Sequence, residues 1–361
     1  MGMSHGERVS RYSDVSTALA LRSDRQLSVL LEQAQVLGSG IGGASALCEV
    51  AGALVFAKRV PLTDVERRAE NVMSTANLYG LPSFCQYGLG SPSFGAWREL
   101  AANVVTTNWV LAGHSDAFPL LYHWRILPGA PPPTEEHADV DAVVRYWGGS
   151  SAVRNRLYAL AQASASIVLF QEFIPHTLDD WLAAQLAAGP SAVASACAMV
   201  ESCLLTDVLF MNTRGLTHFD AHFGNVLTDG RRLYLADLGL ATSPRFDLSS
   251  EETIFLRRNR THDLGYALMR LVNWLVTNVC GIAVSRDGGP VQRNEYIRAC
   301  AAGADPAGAP PGIAGMIRRY APPAAAMNDF YWDLFGVDRA TSYPVAKMER
   351  ALTVLQVNIA F

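Results

Sequence analysis

The sequence is poor in charge and in cysteine, and neither is arranged for a specialised role. Only 17% of the residues are Asp, Glu, Lys or Arg, and 29 basic against 33 acidic side chains leave a net charge of −4. That balance supplies no basic face for nucleic acid and no polybasic patch for an anionic membrane surface. The six cysteines form no C-x-x-C pair and sit in no His/Cys cluster of zinc spacing, which excludes a zinc module and a disulfide scaffold. A reducing, cytoplasmic compartment is the expectation. The N-terminal stretch MGMSHGERVSRYSD lacks the basic-then-apolar order of a secretory signal. Gly6 stands where N-myristoylation requires Ser or Thr. The longest apolar run, Tyr266 to Val284, carries Arg270, Asn273 and Asn278, which are costly in lipid. A buried helix is expected there, and no membrane partner.

What is present suits a large core. Half of the 361 residues are apolar, too many residues for one compact core and enough for two lobes. Helical periodicity covers 16–35, and a glycine-rich segment follows. Ala53 to Val60 (ALVFAKRV) reads as a strand, with a hairpin turn around Gly52. Residues 62–79 and 96–112 read as helices. Pro119 to Leu127 is a strand, 137–163 is helical, and Ser166 to Ile174 (SIVLFQEFI) is a strong strand. From 178 onward the pattern is helical over 178–188, 191–214, 262–280, 291–301 and 344–358, and Gly303 to Gly312 is a flexible connection. No internal repeat is visible.

One patch concentrates chemistry. Residues 217–240 read THFDAHFGNVLTDGRRLYLADLGL. Two short strands, Val226–Leu227 and Leu233–Ala236, are joined by a tight turn at Asp229–Gly230. Asp220 and Asn225 precede the first strand, and Asp237 ends the second. The hairpin brings two carboxylates and an amide oxygen toward one point. Oxygen ligands of this kind suit Mg²⁺ bound with phosphate oxygens and water.

His218-Phe219-Asp220-Ala221-His222-Phe223-Gly224-Asn225 resembles the protein-kinase catalytic loop His-x-Asp-x-x-x-x-Asn, and Asp237-Leu238-Gly239 resembles the Asp-Phe-Gly metal motif at the interval that superfamily uses. The resemblance implies ATP and Mg²⁺ as cofactors. It implies Asp220 as catalytic base or hydroxyl orienter, and Asn225 and Asp237 as metal ligands. It also implies further parts. Gly38, Gly40, Gly42 and Gly43 would let backbone N–H groups approach phosphate. Lys58, in Val55-Phe56-Ala57-Lys58, would hold phosphates, braced by a glutamate. Glu66, Glu70 and Glu99 are candidates, with Glu99 preferred because its helix leads directly into the next strand. Gln171 would be the gatekeeper, with backbone groups of Glu172 and Ile174 on adenine. Asp263, in His262-Asp263-Leu264-Gly265, would brace the catalytic loop. The fold implied is α+β and bilobal, protein-kinase-like. It has an N-terminal helical extension (1–35), a β-rich N-lobe (36–174) with an insertion near 61–95, and a helical C-lobe (175–361).

The loop departs from eukaryotic-type protein kinases. Phe219 replaces the Arg before the base, and His222 replaces the Lys two residues after it. The pattern His-x-Asp-x-His-x-x-Asn is closer to aminoglycoside and choline kinases. His222 is then a phosphate-facing donor or a core histidine. No Ala-Pro-Glu motif follows Asp237. Asp329, Tyr331, Trp332 and Asp333 are candidate lining for a small-molecule pocket. The expectation is an ATP-dependent kinase acting on a hydroxyl, either of a protein Ser/Thr or of a small molecule. A catalytically inactive, nucleotide-dependent binding module is the alternative.

Overall fold

A computed structural model describes residues 3–40, 43–88, 90–284, 289–353 and 355. The chain is mixed α and β, with the sheet in its N-terminal part and helices dominating the C-terminal part. Two compact units are distinguished. The first comprises 1–175, 218–220 and 234–253; the second comprises 176–217, 221–233 and 254–361.

The first unit opens with α1 (His5–Ala20) and α2 (Asp24–Glu32). The single helix expected over 16–35 is broken because Ser23 starts a new one: its hydroxyl and the Gln26 side chain form a capping box. A meander follows: β1 (Gln35–Gly40), β2 (Gly43–Val50) and β3 (Ala53–Leu62). Ala51 and Gly52, with φ of 51° and 73°, form the turn between the last two. Next come the short α3 (Asp64–Arg67), an irregular stretch, α4 (Ala96–Leu111), β4 (Leu121–Pro128), α5 (Val140–Tyr146), α6 (Ser151–Ala161) and β5 (Ala165–Glu172).

The five strands form one antiparallel sheet in the order β1-β2-β3-β5-β4. Strand β5 is buried along its whole length, as its unbroken apolar run requires. One face of the sheet packs Val60, Leu62, Leu121, Ile167 and Leu169 against Ala96, Trp97 and Leu100 of α4.

The helix expected over 62–79 stops at Arg67. Beyond it Asn71 and Asn77 bind backbone carbonyls of Val65 and Leu81, a local alternative to helical bonding. The helix expected over 137–163 is split by Gly148 and Gly149, both at positive φ.

In the second unit, the two-residue β6 (His176–Thr177) pairs with β7 (Val226–Thr228). Helices α7 (Leu178–Ala188) and α8 (Pro190–Thr213) lie between them in sequence. Thr228 Oγ1 donates to Arg232 O and accepts from Gly230 N, which closes the turn toward β8 (Leu233–Leu235). The chain then continues through α9 (Ser250–Arg258), α10 (His262–Asn278), α11 (Val291–Ala301), α12 (Pro311–Gly336) and α13 (Val345–Thr353). Helix α10 is a core helix, buried at most positions from His262 to Val276. The sequence does not announce α12, because Pro322 and Pro323 interrupt its interior. Of the residues expected to extend α13, 354 and 356–358 lie outside those described.

Among the described residues, α8 is the helix long and apolar enough to cross a membrane by length and composition. It packs against α7, α10 and α12.

One buried ion pair ties the N-terminal helix to the end of β5. Arg8, fully buried, donates to Glu172 Oε1 at 3.0 Å and Oε2 at 2.6 Å, and to the carbonyls of Asp116 and Phe118. Removing one partner strands the other charge. Arg8→Ala is expected to lower unfolding stability by about 3–5 kcal/mol in urea titration, and Arg8→Met with Glu172→Leu to recover most of it. A loss under about 1 kcal/mol would mean that water reaches Glu172.

Candidate active site

Strand β3 runs in the middle of the sheet, with Lys58 opposite Ser45 on one side and Leu169 on the other. Alternation places Lys58 on the same face as Val60 and Leu62, toward α4. Its ammonium donates to Glu99 Oε1 at 2.8 Å and to Asp237 Oδ1 at 2.7 Å. The Lys58 residue is only 7% exposed. Burial by itself would lower the Lys58 pKa; the carboxylates of Asp237 and Glu99 outweigh it and hold the value above the ordinary one. Burial pushes Glu99 up, opposed by Lys58 and reinforced by Asp237. Asp237 stays below the usual carboxylate range because Lys58 overcomes its partial desolvation. The site therefore holds a permanent ammonium between two acids of unequal strength.

The helix that carries Glu99 is set by a residue the sequence reading passed over in this role. Gly95 gives α4 no side-chain cap. The Glu66 carboxylate supplies one instead, accepting from Ala96 N at 2.8 Å. Glu66 is itself fixed by Arg156 at 2.9 Å and by a capping box with Thr63, and burial is outweighed by that arginine, so its pKa lies low. The Thr-x-x-Glu spacing was the available signal. Glu66 therefore braces α4 and is not the partner of Lys58. Glu70, in a short 3-10 turn, is not buried. One turn beyond Glu99, Asn103 donates to Glu99 O at 2.8 Å and accepts from Gln171 Nε2 at 2.6 Å. The gatekeeper candidate thus faces α4.

Two backbone details shape the segments around Asp220 and Asp237. Phe219 and Asp237, neither of them glycine, have φ of 64° and 53°, left-handed values that persist only where the surroundings enforce them. At Asp237 the side chain accepts from Gly239 N at 3.3 Å. Around Phe219 the enforcing group is His218, fully buried, whose Nε2 meets Ala236 O at 2.9 Å while Nδ1 meets Asp220 N at 3.3 Å. A carbonyl can only accept and an N–H can only donate, so these partners select the neutral Nε2–H tautomer. His218 thereby joins the base candidate Asp220 to the residue before Asp237.

In the second unit, Asn225 N and Val226 N both donate to His222 O, and Gly224 N donates to His222 Nδ1 at 3.0 Å. His222 organises its own loop, and in the neutral form its proton is on Nε2. Asp263 accepts from Asn212 Nδ2 at 2.9 Å, and the same amide donates to Leu216 O at 3.0 Å. Its bracing of the run into the loop passes through Asn212. Asp329 is taken by Arg298 and Lys347, and the Tyr331 hydroxyl bonds His262.

The glycine and hinge candidates divide. Gly42 lies outside the described residues. Gly40 and Gly43 pair across the β1–β2 turn. A Cβ on Gly43 would stand 2.1 Å from Arg59 O, so this glycine is required by the close approach of β3. Gly38 and Gly40 have nothing within 4 Å and keep the open backbone a phosphate would need. The Glu172 N–H is spent on Leu120 O at 2.8 Å, which leaves only its carbonyl as a possible adenine partner. Ile174 is buried.

The sequence matches no protein-family model and no curated protein. Glu99→Ala is expected to destabilise the chain by about 2 kcal/mol, because Lys58 keeps one of two partners. Glu70→Ala should stay within about 0.5 kcal/mol, as surface changes do. Thermal or urea unfolding of both variants checks this; equal effects would contradict the pairing.

Proposed function

We propose that the chain is an ATP- and Mg²⁺-dependent phosphotransferase of protein-kinase-like, bilobal fold, moving the γ-phosphoryl group of ATP to a hydroxyl. The observation that carries this is the buried Lys58 ammonium, on the central strand of the β1-β2-β3-β5-β4 sheet, held by Glu99 and Asp237. Such an ammonium is fixed in position and stays charged at neutral pH, as a group that orients a polyphosphate must.

The donor chemistry fits a hard cation. Asp237 has 41% of its side chain open to solvent, and Asn225 offers an amide oxygen by its place in the motif. Among the described residues no three His, Cys, Asp or Glu side chains gather at one point. Mg²⁺ needs no such cluster, since it is commonly held by one or two carboxylates plus phosphate oxygens. When bound it would neutralise charge on the β- and γ-phosphates. Gly38 and Gly40 would supply backbone N–H groups, and His222 an Nε2–H donor. Asp220 would accept the acceptor's hydroxyl proton. The acceptor oxygen then bonds the γ-phosphorus as the bond to the β–γ bridging oxygen breaks, releasing ADP.

The test is ADP formation and intact mass after incubation with Mg²⁺ and ATP. Turnover in the wild type is expected to fall at least about 100-fold in Asp220→Ala and in Asp237→Asn. Nucleotide binding without turnover or Mg²⁺ dependence would establish a non-catalytic binding module instead.

A further inference from the structure

Between α3 and α4 the chain has little regular structure, yet from Leu81 onward it is not a surface loop. Ser83, Cys85, Gln86, Tyr87 and Phe94 are all buried. Side chains of this stretch bind the backbone that follows Asp237. The Gln86 amide donates to Leu240 O, Ser93 Oγ donates to Gly239 O at 3.2 Å, and Thr75 Oγ1 accepts from Asp247 N at 2.8 Å. From behind, His137 Nε2 and Trp147 Nε1 reach Gly90 O at 3.0 and 3.2 Å. The Tyr87 ring meets the Phe219 ring edge-on at 6.2 Å. Gly88, with φ of 72°, passes so close to the candidate base that a Cβ there would lie 2.8 Å from Asp220 Oδ1.

Resting on the phosphotransferase reading above, we propose that residues 83–88 and 90–95 form a fixed wall of the acceptor site that admits a small-molecule hydroxyl to Asp220 and excludes Ser or Thr of a polypeptide. An extended polypeptide docks largely through main-chain hydrogen bonds. Here the backbone it would pair with, at Gly239, Leu240 and Asp247, is already bonded to Ser93, Gln86 and Thr75. Clearing the wall would expose its apolar residues and break these three bonds together, the Gln86 one buried, so it is a permanent boundary and not a gate. A small hydroxyl compound needs no such main-chain pairing.

The full chain with Mg-ATP is offered two acceptor sets separately. One is a low-mass mixture of sugars, polyols and amino alcohols; the other is casein with a Ser/Thr peptide mixture. Binding of Mg-ATP is measured calorimetrically in parallel. The expected result is transfer to the low-mass set only. Gln86→Ala with Ser93→Ala should raise KM for that acceptor about tenfold, with the affinity for Mg-ATP unchanged. Transfer to casein, to peptides or to the chain itself would overturn this proposal and leave the phosphotransferase reading standing. Mg-ATP binding with transfer to neither set would also overturn it, because the wall would then close Asp220 to every acceptor. Absence of Mg-ATP binding would remove the phosphotransferase reading itself.

Discussion

A buried ammonium is the constraint around which the first unit is organised. Taking a lysine out of water costs several kcal/mol unless carboxylates meet it in the interior. Lys58 meets two, Glu99 and Asp237. The lysine and its two partners come from three separate parts of the chain: the central strand, the helix behind it and the segment after β8. Each must therefore be held in place. Strand β3 is held by pairing on both sides. Helix α4 is held by Glu66 at its N-terminus and by the apolar face built on Val60 and Leu62. Asp237 is held in a left-handed conformation, close to the carbonyl that His218 binds.

Much of this was legible because it follows local rules. A lysine inside an apolar strand, glutamates at helical spacing, and Asp220, Asn225 and Asp237 around a tight turn are all patterns within short windows. The helices α7, α8, α10 and α11 were legible for the same reason, and they end within a few residues of where periodicity placed them. What escaped was decided by contacts between distant segments. Nothing near Gly43 reveals that Arg59 O will lie where its Cβ would go. Nothing near Glu172 reveals that Arg8 will claim its side chain and Leu120 its N–H. Glu66 looked like a rival to Glu99 until the fold placed Arg156 against it. Helix α12 was hidden by a proline pair that a buried helix can tolerate. The 62–79 stretch misled because its apolar residues follow a helical period while its asparagines bond the backbone locally.

The irregular chain that follows it gives the molecule its own character. Gln86 and Ser93 bind the main chain of Leu240 and Gly239, and Gly88 runs past Asp220. The chain after Asp237 is thus held by the chain's own residues: Gln86, Ser93 and Thr75, with Arg98 paired to Glu252 at 2.7 Å. On the proposed reading, a site fixed this way has no need of a phosphate on that segment, in keeping with the absence of Arg before Asp220.

On the proposed function, Lys58 sits where a polyphosphate binds. Calorimetric titration of ATP, with Mg²⁺ and with chelator, into the wild type and Lys58→Met tests it most directly. The expected result is Mg²⁺-dependent binding in the wild type that weakens at least about tenfold in Lys58→Met, the loss of one charge-assisted contact. Equal affinity in the two proteins, or none in either, would contradict it.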